Sequence, residues 1–295
     1  MTNISLTGTV SEVHPQMCRV IADDTLQSFL CTYRRAQVIS RTSEIRERSP
    51  VAPGDRVEFE VTSINSKDGV IQKLLPRKNS LQRRAPGKVG EVLHTIAANI
   101  ETLGIVVSIR TPEFNPGLLD RFLVAAIAEK IEPIIFLTKI DLNEAPFSPS
   151  EGPWKTYFDL GFRIFPLNIP AGIGIAEARA AVTNKVTVFC GLSGVGKTSL
   201  LQAFFGSSVG AISAISGSTG KGKHTTSTSR MIALPDGTRW IDTPGVREFA
   251  VVDINPDMLI ECFPELSNAP ADTRESLPRY QSYLRIKRSI ENPGF

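Results

Sequence analysis

Residues 189–204 read FCGLSGVGKTSLLQAF, and no other stretch of the 295-residue chain narrows its fold as much. Gly191, Leu192, Ser193, Gly194, Val195, Gly196, Lys197 and Thr198 satisfy the pattern G-x-x-x-x-G-K-[ST]. A strand-like KVTVF precedes them and a helix-like SLLQAFF follows, the context in which the pattern is a phosphate-binding loop. Glycines let successive backbone N–H groups converge on phosphate oxygens, and the start of the helix adds partial positive charge. In that arrangement Lys197 reaches the β- and γ-phosphates, the Thr198 hydroxyl ligates Mg²⁺, and Ser199 extends the nucleotide contacts into the first helical turn. Such a loop belongs to a parallel sheet covered by helices. Yet about two thirds of the chain comes before it.

Downstream, RMIALPDGTRWIDTPGV reads as two short strands joined by Pro-Asp-Gly and ending in Asp242-Thr-Pro-Gly245. Asp242 at a strand end suits a water on Mg²⁺, and the Gly245 N–H suits the γ-phosphate. Residues 206–230 lie between, a long Gly/Ser/Thr-rich segment of the kind that is functional or disordered. In a GTPase this is the place of the switch that orders around γ-phosphate and Mg²⁺, with Thr225 or Thr226 as the hydroxyl ligand. Composition alone is equally satisfied by a flexible linker.

Base choice points upstream. Guanine offers N1–H and N2–H₂ as neighbouring donors that one carboxylate accepts together, and adenine lacks that pair. PIIFLTKID places Thr138, Lys139, Ile140 and Asp141 after a buried strand, close to the N-K-x-D of G proteins, with Thr138 in the Asn position. Asp141 is the expected guanine reader, and the Lys139 stem suits the base plane. A helix-capping Asp after a strand is the structural alternative. If Asp141 reads guanine, the base-reading element precedes the phosphate loop, and the usual order has been cut and rejoined.

The rest of the chain gives the other domains. Residues 4–76 hold five strand-like runs rich in Val, Ile, Phe and Thr, which predict a small closed barrel, an OB-fold first and an SH3-like barrel second. Residues 77–90 read as a basic linker: PRKNSLQRRAPGK (76–88) has five basic residues and no acid, suiting a solvated linker or a strip against a polyanion. Runs of buried-strand type at LGIVVSI and EPIIFLTK flank a helix-spaced PGLLDRFLVAAIAEK, giving a βαβ pattern over 91–250. Residues 251–295 form a helical extension. In its RYQSYLRIKR, Tyr280, Tyr283 and Leu284 make an apolar stripe, with Arg279, Arg285, Lys287 and Arg288 around it as candidates for phosphate contacts. Net charge is +3, too small to attract a polyanion except through local patches. Four scattered cysteines suggest neither a disulfide framework nor a zinc site but reduced thiols in a cytosol. No secretory signal is apparent at the N-terminus, and the apolar runs are too short to span a bilayer.

The order TKIDL, GLSGVGKTSLLQ, KGKHTT, DTPGVREF, after a barrel and KNSLQRR and before RYQSYLRI, resembles the circularly permuted GTPases of the RsgA (YjeQ) family over nearly the whole length. The resemblance implies a cytoplasmic, monomeric GTPase that cycles between GTP and GDP. It further implies binding to the maturing small ribosomal subunit and its 16S-type rRNA, with hydrolysis stimulated there and no membrane partner. It also suggests His224 in the switch as the group orienting the attacking water, since Val246 occupies the place where Ras-like enzymes carry Gln; a solvated loop histidine is the plainer reading. The base-binding loop falls at LNIPAGIGI, around Asn168. One family feature is missing. The interval LSNAPADTRESLP has no Cys or His where a zinc knuckle would sit, and Cys262 alone cannot close a tetrahedral site, so no zinc is expected. Two readings from other classes compete: a passive RNA-binding barrel protein with a nucleotide-sensing domain, disfavoured by the complete loop, switch and D-x-x-G, and a P-loop ATPase, disfavoured by Asp141.

Overall fold

The computed structural model describes residues 4–33, 46–47, 50–63, 65–84, 92–206, 230–242, 254 and 256–291. The chain divides into two compact units. The first takes 1–101, 184–188 and 227–250, and the second takes 102–183, 189–226 and 251–295.

The first unit opens with β1 (Ile4–Val13), β2 (Met17–Ala22), β3 (Ser28–Thr32), the two-residue β4 (Arg46–Glu47), β5 (Arg56–Ser63) and β6 (Asp68–Leu74). Alternating burial in these strands turns Val10, Cys18, Val20, Phe29, Cys31, Val57, Phe59 and Ile71 into one apolar core. β1 pairs antiparallel with both β2 and β5, β2 with β3, and β5 with β6, while β3 and β6 run parallel. These pairings close a five-stranded barrel. The parallel closure, with the third long strand skipping its successor, gives the OB order rather than the meander of an SH3-like barrel.

The basic stretch expected as a linker is partly a strand. β7 (Ser80–Arg84) pairs antiparallel with β8 (Val92–Ala98), which β4 joins in parallel. Leu81 supplies the buried anchor. Arg77 is also not an outward polyanion contact. Its guanidinium donates from Nε to Asp55 Oδ1 (2.7 Å) and from Nη2 to Oδ2 (2.9 Å), and Asp55 is fully buried. Asp55 Oδ2 also accepts from the Ala52 N–H (2.7 Å), so the carboxylate is satisfied from two sides.

The second unit begins with three parallel strands, β9 (Thr102–Ser108), β10 (Glu132–Thr138) and β11 (Ile164–Leu167), β10 lying in the middle. β9 is buried along its whole length, as a strand covered on both faces must be. Between β9 and β10 runs α1 (Pro116–Ala128). Asn115 caps it by accepting from the Leu118 N–H, and Pro116 occupies the first turn. α2 (Lys155–Asp159) and α3 (Ile175–Ala180) flank β11 in sequence. The chain then forms β12 (Val186–Cys190), the phosphate loop and α4 (Lys197–Phe205). β13 (Arg230–Ala233) and β14 (Arg239–Asp242) belong to the first unit, where they pair antiparallel with each other. There β13 also meets β1, and β14 runs parallel to the opening residues of β12.

The extension adds α5 (Pro264–Ser267) and α6 (Tyr280–Glu291) to the second unit. Tyr280 and Tyr283 pack against a core of Val124, Leu259, Cys262, Phe263, Leu266 and Ile286, as the apolar stripe predicts. Arg279 departs from expectation. It is 3% exposed, donating from Nε to Asp120 Oδ1 (2.7 Å) and from Nη1 to the Glu265 carboxylate (3.1 Å). Tyr157 Oη lies 3.0 Å from Asp120 Oδ1, and the rings of Phe263, Phe162 and Tyr157 surround the guanidinium at 4.6–5.6 Å. The residues on either side of the interval without Cys or His, Glu265 and Arg279, join Asp120 of α1 in a buried ion cluster. Burial pushes the Cys262 thiol up to about 11, with the Glu261 charge adding to it, which makes it a core group and a poor metal ligand.

Candidate functional site

Residues 191–196, expected to begin a phosphate-binding loop, form a turn between β12 and α4. Gly191 has φ 146° and Gly196 has φ 92°, backbone angles that favour glycine. A Cβ on Gly191 would stand 2.3 Å from the Val106 carbonyl oxygen, so no larger residue fits there. Gly196 precedes α4, and no side chain caps the helix. Its first N–H groups are therefore left to an outside acceptor, the arrangement that suits phosphate oxygens. Lys197 and Thr198 open α4. Lys197 is half-buried, whereas Thr198, Ser199, Ser193 and Gly194 are exposed. Cys190, directly before the loop, is fully buried; burial raises its thiol well above the ordinary value, and the Lys197 charge only partly offsets this.

The segment expected to read the base is tied to this loop through Thr138 and Lys139 by hydrogen bonds. Thr138 ends β10 with no exposed surface. Its hydroxyl lies 2.5 Å from the Val195 carbonyl oxygen and 3.2 Å from that of Val107. Lys139 takes the left-handed conformation (φ 60°). Its ammonium donates to the Gly194 carbonyl (2.7 Å) and to the Thr111 carbonyl. Thr138 thus supplies one bond from the position where an Asn amide was expected, and Lys139 braces the loop as well as offering its stem to a base. Both residues reach backbone carbonyls 55 or more positions away. Ile140, Asp141 and Leu142 then form a single 3₁₀ turn on which Asp141 is exposed.

A third segment approaches the loop from the far end of β11. Asn168 pairs with Ile173 in an isolated bridge, and its Oδ1 accepts from the Ala171 N–H (3.2 Å). A Cβ built on Gly196 would lie 3.7 Å from Thr138 Oγ1 and 3.8 Å from Ile169 Cδ1. Thr138, Lys139 and Ile169 therefore meet residues 194–196, although the segment expected to read the base comes first in the chain. The Val195, Gly194 and Thr111 carbonyls are contributors that sequence reading missed; they are backbone groups and leave no trace in residue identity.

Asp242 is the last residue of β14 and the direct partner of Arg230 on β13. His224, Thr225, Thr226 and Gly245 lie outside the described residues. Among the described residues, no three or more of His, Cys, Asp and Glu gather into a metal-holding group, and no described helix is long and apolar enough to cross a membrane.

Comparison with known proteins identifies the family. Residues 74–252 match the profile of the RsgA GTPase family. The small ribosomal subunit biogenesis GTPase RsgA of Chlorobaculum tepidum is 36% identical over 260 residues, covering 86% of this chain and 81% of that protein. Its namesake from Flavobacterium psychrophilum is 31% identical over 83% of this chain and 82% of its own length. The crystal structure of YjeQ from Thermotoga maritima superposes with a TM-score of 0.70 over 98% of this chain and 99% of that chain, at 24% identity. YloQ, described as a circularly permuted GTPase, gives 0.68 over 99% and 97%, also at 24% identity.

Proposed function

This chain belongs to the RsgA GTPase family and is a GTP-hydrolysing enzyme, and from that premise we propose that it acts in the cytoplasm, as a monomer, on the maturing small ribosomal subunit. The barrel and basic surfaces engage 16S-type rRNA, and hydrolysis stimulated by the subunit serves as a late maturation and release switch. The observation that supports the guanine reading is the bracing of Thr138 and Lys139, directly before Ile140 and Asp141 in the chain, against the Val195 and Gly194 carbonyls.

In this reading the Asp141 carboxylate accepts the guanine N1–H and N2–H₂, and Asn168 borders the base. Residues 191–199 hold the phosphates through backbone N–H groups and Lys197, while the Gly245 N–H senses the γ-phosphate. The donors available to magnesium are the Thr198 hydroxyl, that of Thr225 or Thr226, and Asp242. All are hard oxygen groups, and Thr198 stands exposed at the start of α4, so the set suits that ion. When bound, magnesium neutralises phosphate charge as it develops. His224 orients the attacking water, since Val246 offers no polar atom.

The test compares GTP with ATP hydrolysis, with and without purified small subunits, for the wild type, Lys197→Ala and Asp141→Asn. Stimulation by the subunit is expected with GTP alone and is lost in Lys197→Ala. Asp141→Asn is expected to weaken GTP by about 1.5–3 kcal/mol, as for a hydrogen bond to a charged group. Equal use of ATP would sink the guanine assignment, and indifference to the subunit would sink the ribosomal one.

A further inference from the structure

In the second unit, β9 and β10 end side by side on two small hydroxyl residues. Ser108 closes β9, Thr138 closes β10, and the two are Cα partners in the parallel register. Both are buried, Ser108 at 2% exposure and Thr138 at none. Each hydroxyl has one hydrogen to give, and buried polar groups are used. Ser108 donates to the Pro112 carbonyl (2.7 Å), within the turn that leads from β9 to α1. Thr138 gives its hydrogen to the nearer of its two carbonyls, that of Val195. Lys139 joins what the two hydroxyls hold. Its ammonium bonds the Thr111 carbonyl in that turn and the Gly194 carbonyl in the phosphate loop. A Cβ placed on Gly194 would lie 3.7 Å from Pro112 Cδ, so turn and loop lie close together.

The consequence for the loop follows from the geometry of the peptide bond. In a planar trans peptide the C=O and the N–H of the next residue point in opposite directions. Holding the Gly194 and Val195 carbonyls against Lys139 and Thr138 therefore turns the Val195 and Gly196 N–H groups away from those two side chains. Among the described residues neither N–H meets an acceptor. Outward-facing donors of this kind are what a phosphate-binding turn presents. Thr138, meanwhile, has no exposed surface and its single hydrogen is committed. It has no donor left for the O6 and N7 acceptors of guanine.

We propose that Thr138 and Ser108 are positioning residues for GTP binding that orient the phosphate loop, and that neither reads the base. Thr138 fixes the 195–196 peptide directly. Ser108 fixes the turn whose Thr111 carbonyl anchors the Lys139 ammonium, and Lys139 in turn fixes the 194–195 peptide. This role rests on the phosphate-binding reading of residues 191–199 given above, and it gives two side chains that never touch the nucleotide a share in its affinity.

The test measures the affinities of the full-length protein for GTP and for 7-deaza-GTP, in which a C–H replaces N7. Both are read by competition against a fluorescent GDP, beside a thermal melt. Thr138→Val keeps the shape and removes the hydroxyl, and is expected to weaken both nucleotides about tenfold, the range for stranding a buried acceptor. Thr138→Ser is expected to bind both as the wild type does. Ser108→Ala is expected to weaken both about threefold and to add nothing in a Lys139→Met background, since it acts through that ammonium. If Thr138 reads the base instead, Thr138→Val weakens GTP and leaves 7-deaza-GTP where it was. If the hydroxyls only stabilise the fold, melting temperatures fall and neither affinity moves. Either result overturns the proposal, as does a Ser108→Ala effect that persists without Lys139. Failure of the phosphate-loop reading looks different: Lys197→Ala would then bind GTP as tightly as the wild type.

Discussion

Each unit turns one arginine inward, and the two arginines are held differently. Arg77 meets one carboxylate, that of Asp55, in a two-point fork, with backbone groups completing the shell and 18% of its side chain exposed. Arg279 faces two carboxylates, Asp120 and Glu265, within a wall of aromatic rings, and its Nη2 has no hydrogen-bond partner among the described residues. A residue that completes a matched pair near water is worth less than one holding two buried anions together. Removing one partner of a buried pair leaves an uncompensated charge, which is where the large cost arises. Both arginines sit in stretches whose composition suggests a surface for polyanions, so a basic run does not by itself identify an RNA-facing side chain.

The largest effect should come from Arg279→Ala, which strands Asp120 and Glu265. Destabilisation of about 3–5 kcal/mol is expected, measured by urea unfolding. Arg77→Ala should cost less, about 2–3 kcal/mol, because water reaches part of its site and the Ala52 N–H still serves Asp55. If the order is reversed, the contrast between the two clusters is wrong. Tyr157→Phe sharpens the comparison further: it removes one neutral donor from Asp120 but leaves the ring packed, so about 1 kcal/mol is expected.

The smallest effect belongs to the barrel surface, where Arg56 donates to Asp23 at 2.5 Å. Burial alone would raise the Asp23 carboxyl, but hydrogen bonds from Arg56 and Thr7 and the Arg56 charge bring it below its usual 3.8. A depressed carboxyl stabilises the fold above its unfolded value and loses that contribution as pH falls through the lower folded value. Asp23→Asn should therefore cost under about 1 kcal/mol at pH 6, with the gap to wild type closing below pH 3.8. A gap that persists in acid would show that charge is not what holds this pair.

Much of this molecule is legible locally. ISLTGTVSEV and MCRVIA coincide with β1 and β2, and PGLLDRFLVAAIA with α1, because alternation and helical spacing fix which face is apolar before any partner is present. The phosphate loop is legible for the same reason: its glycines answer to backbone angles set within eight residues. β7 was hidden because its basic residues resemble a solvated linker, with the buried Leu81 as the apolar mark on it among the described residues.

By itself, then, the sequence determined the strand and helix pattern, the glycine-rich turn at 191–198, and that the TKID segment precedes it in the chain. The tertiary structure alone decided that Thr138 and Lys139 bond carbonyls of the 191–198 loop and that Arg77 and Arg279 face inward. The physical reason is distance along the chain. Arg279 finds Asp120 across 159 residues and Thr138 finds Val195 across 57, and a backbone carbonyl accepts a hydrogen bond in the same way whatever side chain its residue carries.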